Sequence, residues 1–546
     1  QEFSADMGSR GVRRIQDVRM LRAHQFAEDA SPMAHPVRPD SYMEINNFYT
    51  LTVYEKGAEV VRMQANLLGP ELFRKATDLY FERHDGQAVT TDDFVSCMQD
   101  ASGRDLGQFK RWYTQSGTPE ITISSSYDEQ AAQLTLTVSQ TCPPTPGQPL
   151  KRPFHIPLAI GLLDSDGNGL PVTLEGETTA GPLTRVLEIR EAEQCFVLKN
   201  LASRPVLSLL RDFSAPVKLQ HRYTPDELMF LMAHDSDGFA RWDAAQSLHL
   251  RVLDSLMENP GCALPSGYVE AMRMALTSSH DDRELLAEVL TLPSESYIGD
   301  QMEIVDVDAI HAARNGLMRR IAQDLRPDLL EIYRTNSDTE PFSYEHASIA
   351  RRALKNLALG YLSRLEGDAE VESLVRAQYE AQQNMTDVSR ALTLGVYAQM
   401  PSAGELLADF EQRWKEQPLV MDKWFSIQAT SRQPDMVPRI RELMQHPGFT
   451  LRNPNRVRAL IGAFVSGNPA RFHAADGTGY RLLSDIVLEL NTLNPQIASR
   501  LVRTMSRWRR YDEGRRALMQ SELERIRDSD GLSKDVLEIV SKSLEE

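Results

Sequence analysis

No H-E-x-x-H occurs in these 546 residues, and no two of the 12 histidines enclose a glutamate at i, i+4 as zinc hydrolysis on a helix requires. Cysteine is as sparse. Cys97, Cys142, Cys195 and Cys262 are far apart, with no C-x-x-C and no neighbouring histidine cluster, which excludes a metal knuckle or a disulfide framework and points to a reducing, cytoplasmic setting. No run of 18 apolar residues is available to cross a bilayer, and the opening QEFSADMGSRGVRRI has no apolar signal-peptide core. It also lacks an initiator methionine, so a start inside an amphipathic, arginine-bearing segment reads as a fragment or processed product. Positive charge is in deficit, with 60 basic against 77 acidic side chains and a net −17. That balance disfavours a nucleic-acid or membrane surface and suits a soluble monomer. The length exceeds what one core supports, so several domains are expected.

What is present begins with helices. FYTLTVYEKGAEVVRMQANLLG stops at Gly69, where glycine can take the left-handed conformation that closes a helix. Pro70 suits the first turn of the next, PELFRKATDLYFERHDG, which stops at Gly86. Thr91 can cap a third, DDFVSCMQDASG, with acidic residues in its first turn, and DLGQFKRWYTQSG is a fourth, ending at Gly117.

The period then changes. EITISSS and QLTLTVSQT alternate apolar with polar as half-buried strands do, and HIPLAIGLL, LPVTLEG, TRVLEI and QCFVLKN follow between Pro- and Gly-rich turns. About seven strands in roughly 100 residues predict a small β-sandwich. From Thr224 a succession of amphipathic helices runs to the C-terminus with polar or Pro/Gly breaks, which predicts an irregular α-solenoid. The expected fold is multidomain and mainly α, with a helical segment over 1–116, a β-sandwich over 117–217 and a solenoid-like helical domain over 218–546.

Tyr54 is the strongest catalytic candidate. A neutral phenol, with a pKa of about 10, can donate a hydrogen bond to an oxyanion at neutral pH. Gly57, on the same helix face, leaves space for close backbone approach. The competing reading is a tyrosine packed in a helical core. Beyond this pattern, FYTLTVYEKGAEVVRM, YFERHDGQAVTTDDFVSCMQDASG and FKRWYTQSGTP, continuing through FSAPVKL, FARWDAAQS, LVMDKWFSIQATS and NPNRVRALIGAF to NPQIASRL, resemble the gluzincin zinc aminopeptidases over essentially the whole chain.

That resemblance implies the helical end of a thermolysin-like catalytic domain, then a small β-sandwich and a large helical domain. It implies that Tyr54 stabilises the tetrahedral intermediate, that Asn46 and Tyr49 line the pocket for the substrate's first side chain, and that Gln496 reaches this pocket from the helical domain. Arg458 and Arg500 match arginines that face the cavity and can approach the substrate's carboxyl-terminal side. The family's H-E-x-x-H, third glutamate ligand and G-A-M-E-N strand have no counterpart here. Zinc is therefore expected in the intact enzyme and none on this chain alone.

The arginines also have a reading of their own. Asn453 and Pro454 look like the cap and first residue of a helix projecting Arg456 and Arg458, where an anionic terminus could dock. Arg500, Arg503, Arg507 and Arg510 fall at i, i+3, i+7 and i+10, one face of a helix; the alternative is a solvated, salt-bridged face. DSDGNGLPVTLE, residues 164–175, matches the calcium-loop pattern, but its flanks alternate like strands and a hairpin turn explains the same residues. His24 and His35 lie in a loop-like stretch with no third ligand, which favours positioning or surface roles over metal. Trp242, Trp414, Trp424 and Trp508 are expected as core or interhelix anchors.

Two functions follow. The first is a zinc-dependent aminopeptidase acting on peptides, of which this chain is a C-terminal fragment that needs the N-terminal catalytic segment. The second is a non-catalytic helical-repeat scaffold that binds peptide or the complementary catalytic half.

Overall fold

A computed structural model describes residues 8–277, 282–338 and 341–545. The chain divides into two compact units: Arg10–Leu248, and a second beginning at His249, the division falling inside the helix Gly238–Glu258.

The first unit joins a helical segment to two β-sheets. Helices Gly57–Leu68 and Pro70–His84 meet at Gly69, whose φ of 78° supplies the expected left-handed break. The helix Thr91–Ser102 is capped one residue earlier than expected. Thr90 and Asp93 form a reciprocal capping box, so the side chain with a carboxylate three residues ahead of it takes the cap. The fourth expected helix shrinks to Arg111–Thr114, because the Asp105 carboxylate accepts from the Gly107 amide at 2.8 Å and builds a turn in its place.

Eight strands form the sheets: β1 Glu120–Asp128, β2 Gln133–Thr141, β3 Ile156–Leu163, β4 Gly169–Leu170, β5 Thr184–Ile189, β6 Glu193–Leu198, β7 Val206–Leu209 and β8 Lys218–His221. One sheet has the order β6-β2-β1-β8, with β1 and β8 parallel; in the other β3 pairs β4, β5 and β7, all antiparallel. Every residue of β3 is buried, as a continuous apolar run predicts for a strand covered on both faces. LPVTLEG contributes little to β4, since Pro171 has no amide to continue the ladder. β7 and β8 are too short to show alternation, and β8 carries the sheet past residue 217. The hairpin reading of DSDGNG is the observed one: Leu162 and Leu163 pair Leu170 and Gly169, and the Asp164 carboxylate accepts from the Asp166 and Asn168 amides at 2.9 and 2.8 Å.

Trp112 fastens the helical segment to β3: its ring lies 4.4 Å from that of Phe154 and its indole N–H donates to the His155 carbonyl at 2.9 Å. After β7 the chain turns through Leu210, Asp212 and Phe213, all with positive φ, a costly conformation for residues other than glycine. Arginines hold this turn. Arg62 pairs with the Asp212 carboxylate, and Arg14 donates to the Asp212 carbonyl at 3.1 Å. Arg211 pairs with buried Asp235 at 2.7 Å and lies across Gly161, where a Cβ would come within 2.6 Å of its guanidinium.

The second unit is helical throughout its described residues, stepping through Val307–Asp324, His346–Leu362, Ala369–Glu380, Met385–Tyr397 and Ala403–Trp414 to Lys534–Leu544. Side chains of Asp306, Asp368, Asn384 and Ser533 accept amides at helix starts, as a polar residue before each apolar run foretells. Trp424 and Trp508 are buried anchors, and in the first unit so is Trp242, whereas Trp414 is half-buried. Two histidines in the second unit are sealed as neutral rings. His249 shares a 2.7 Å hydrogen bond with Tyr268, and burial lowers its pKa to about 4. His473 lies between Tyr480 and Tyr511 at 3.0 and 3.1 Å, and burial, then Arg515, lowers its pKa to about 3.

Below pH 6.5 the unfolded chain binds protons that these two rings refuse until pH about 4 and 3. Stability should therefore fall as pH drops from 7 to 5, by roughly 1–2 kcal/mol per histidine. Urea denaturation at the two pH values checks this, and replacing both histidines by asparagine should flatten the difference.

Candidate functional site

The segment carrying Tyr54 is built by its neighbours. Thr52–Lys56 forms a π-helical turn at the start of the helix that continues to Leu68. Such a turn inserts a residue into the helical register and recurs at functional sites. Its first residue is pinned: Thr52 donates from its amide and hydroxyl to one oxygen of Glu28, at 3.1 and 2.7 Å, and accepts from Gln25 at 3.2 Å. Gln25 itself ends a second π-helical turn, Leu21–Gln25. Thr50 accepts from the Val53 amide at 3.2 Å and lies 2.9 Å from Nε2 of His35. His35 therefore positions the helix start, while His24 sits in the Leu21–Gln25 turn instead of the loop expected for it.

The last residue of the turn is held harder still. Lys56 Nζ donates to Asp29 Oδ2 at 2.8 Å and to the Gly117 carbonyl at 2.9 Å, with both ionised side chains 1% exposed. The Thr118 hydroxyl donates to the same Asp29 oxygen at 2.8 Å. Between Thr52 and Lys56, both turned inward, Tyr54 is turned outward and is 58% exposed. Its ring stacks on Tyr49 at 6.3 Å and 29°, and Tyr49 meets Phe48 edge-on at 6.3 Å. The reading of Tyr54 as a core residue fails on this exposure.

Asn46 lies in the short 3₁₀ turn Ile45–Phe48 and spends its amide group on Glu44 Oε1 at 2.8 Å. Gly57 is not needed for backbone approach: a Cβ there would meet only Val37, at an ordinary 3.6 Å. The first unit thus brings Tyr49 and Tyr54 together, with Asn46 close in sequence.

In the second unit, Arg458 opens a third π-helical turn, Arg458–Gly462, and is exposed with its guanidinium on Asn455 at 3.0 Å. Gln496 and Arg500, both exposed, stand at i, i+4 on the helix Pro495–Val502. Asn453 caps its helix as expected, accepting from Asn455 and Arg456. Arg456 departs from expectation. It is buried, paired with Asp422 at 3.1 Å and set over the Phe425 ring, so no anion docks on it. Nor do Arg500, Arg503, Arg507 and Arg510 share one helix face, because the helix ends at Val502 and two 3₁₀ turns follow. Arg507 and Arg510 both pair with Asp300, at 2.6 and 3.1 Å, as the salt-bridge alternative has it.

Residues 225–545 match the family model described as domain of unknown function (DUF3458_C) ARM repeats, more than half of the chain. The chain belongs to that family. Residues 117–222 match the DUF3458 domain with an Ig-like fold, and residues 6–113 the peptidase family M1 domain. Aminopeptidase N of Escherichia coli is 47% identical over the whole chain, and that of Haemophilus influenzae 43%. The chain spans 62% of the length of each of these relatives. The crystal structure of Legionella pneumophila aminopeptidase A in complex with aspartic acid has a TM-score of 0.84 at 29% identity, over 93% of this chain and 58% of that one. This DUF3458_C member thus corresponds to the C-terminal portion of an M1 aminopeptidase.

Among its described residues no group of three His, Cys, Asp or Glu side chains could hold a metal ion. The described cysteines are all free, and no described helix is long and apolar enough to cross a membrane.

Replacing Asp29 by alanine would leave Lys56 a buried, unpaired cation, and should destabilise the first unit by about 3–5 kcal/mol. Chemical denaturation checks this, and Lys56→Met with Asp29→Leu together should recover most of the loss.

Proposed function

We propose that this chain belongs to a protein that removes N-terminal residues from peptides, and that Tyr54 donates the hydrogen bond that stabilises the oxyanion formed when the first peptide carbonyl is attacked. One observation carries this reading: an exposed phenol on a turn whose flanking residues, Thr52 and Lys56, are buried and bonded. A donor already aimed at the place where charge develops costs no reorganisation when the reaction occurs. The family's zinc would be held by residues other than these, and would supply the activated water.

Tyr49, with its ring against Tyr54, and Asn46 would line the pocket for the substrate's first side chain, and Gln496 of the second unit is proposed as a further substrate-binding residue. Arg458 and Arg500 would meet the carboxyl end of short peptides; both are exposed in the second unit, and neither makes an ion pair among the described residues. The guanidinium fork matches a carboxylate in two hydrogen bonds. The same reading divides the chain into the helical end of a catalytic domain near residue 116, a β-sandwich closed by β8, and the helical domain. It takes peptides as partners together with the remaining catalytic segment, and a monomer in the cytoplasm as the working state; the free cysteines support the location.

In the full-length protein Tyr54→Phe should lower kcat about 100-fold or more with the fold intact by circular dichroism. An unchanged rate would favour the alternative, a scaffold that binds peptide or a complementary chain without chemistry. Arg458→Ala and Arg500→Ala should raise KM for peptides with a free carboxylate by roughly 10-fold, the worth of one charge-assisted pair, and leave an aminoacyl anilide unaffected. Equal effects on both substrates would remove the arginines from the carboxylate's path.

A further inference from the structure

Four arginines of the second unit converge without the carboxylates that accompany most of this chain's other arginines. Arg314 is on the helix Val307–Asp324, Arg364 follows the end of His346–Leu362, Arg390 is on Met385–Tyr397, and Arg432 lies in the loop after Pro418–Ala429. Packing of these helices sets each guanidinium. Arg390 lies against Gly360, where a Cβ would come within 2.3 Å of its Nη2, and donates twice to the Asn356 carbonyl at 3.3 Å. Arg314 donates to the Pro293 carbonyl at 2.7 Å, and Arg432 stands over the Tyr397 ring at 5.8 Å. The Nε of Arg364 is buried with no acceptor.

All four side chains are half-buried, and among the described residues none of the four forms an ion pair. Glu295 is the carboxylate that faces Arg314 and Arg432, and its Oε1 is already bonded to His311 at 2.8 Å. Burial, then Arg432, Arg314 and Arg390, lowers the pKa of Arg364 to about 9; burial also lowers those of Arg390 and Arg432. Four guanidiniums against one engaged carboxylate leave about three positive charges without a carboxylate partner among the described residues. Elsewhere this acidic chain spends carboxylates freely, and Arg326 and Arg376 each have two. Keeping such charges together costs free energy unless an anion joins them.

We propose that Arg314, Arg364, Arg390 and Arg432, with the hydroxyl of Tyr397, form a binding site for a small multivalent oxyanion of the diphosphate class. Planar guanidinium forks match phosphate oxygens in pairs of hydrogen bonds, and a single carboxylate would neutralise only one of the charges.

The test titrates the chain with inorganic pyrophosphate at constant ionic strength and follows the thermal midpoint and calorimetric heat. A saturable rise in midpoint with one site per chain is expected. Adenosine diphosphate run alongside tells a free diphosphate from an esterified one: response to pyrophosphate alone assigns the first, response to both the second, and either upholds the site. Arg364→Met should keep or raise the midpoint without anion, by removing a repelled charge, and weaken pyrophosphate at least 10-fold. A merely structural arginine would do the reverse, lowering the midpoint and leaving binding alone. Arg432→Gln repeats the test from a loop should Arg364→Met fail to fold, and Arg319→Gln, an exposed partner of Glu366, should leave binding unchanged. No saturable response, or the same response in Arg364→Met and Arg432→Gln as in the parent chain, would overturn the proposal.

Discussion

The buried pair of Lys56 and Asp29 is the interaction on which the rest of the first unit depends. Removing two ions from water costs several kcal/mol each, which their mutual attraction and further hydrogen bonds offset. Here the lysine meets Asp29 and the Gly117 carbonyl, and the aspartate also meets Thr118. The pair thereby ties together three stretches far apart in sequence: the turn after Gln25, the tyrosine helix and the entry to β1. Because Lys56 lies two residues beyond Tyr54 in a π-helical turn, fixing it inward turns the phenol outward.

The same arrangement recurs at a strained turn of this unit. The turn at 210–213 adopts positive φ at residues with side chains, and arginines from the helical segment hold it through Asp212. Both places use a charged group with several bonds to hold backbone in a form that local preference would not select. The backbone at both places is thus held through electrostatics more than through apolar packing, which a β-sandwich and a helical array supply in bulk. The arginine cluster of the second unit is the contrasting case: charges gathered by helix packing, with too little countercharge beside them.

Much of the fold was legible in the sequence. Gly69 and Gly86 end their helices because only glycine takes positive φ there cheaply, and the alternation of β1 and β2 marks strands with one buried face. The misses have physical causes. Pro171 cut β4 short, β7 and β8 were too brief to alternate, and the carboxylate of Asp93 moved a cap to Thr90. Of the candidate site, motif likeness alone singles out Tyr54 and Tyr49, and the structure adds their stacked contact. The π-helical turns were invisible, since nothing in a linear period reports an inserted residue. Arg456 was misjudged because its partner Asp422 lies on a helix distant in sequence, as did Asp300 for Arg507 and Arg510.

The central claim is that the Tyr54 hydroxyl serves the transition state and not the bound peptide. The most direct measurement compares, in the full-length protein and its Tyr54→Phe form, the affinity for a peptide analogue with a tetrahedral phosphinate at the first linkage and for an unreactive planar analogue. Loss of roughly 100-fold for the tetrahedral ligand with little change for the planar one is the predicted result. Equal weakening of both, or of neither, would contradict it.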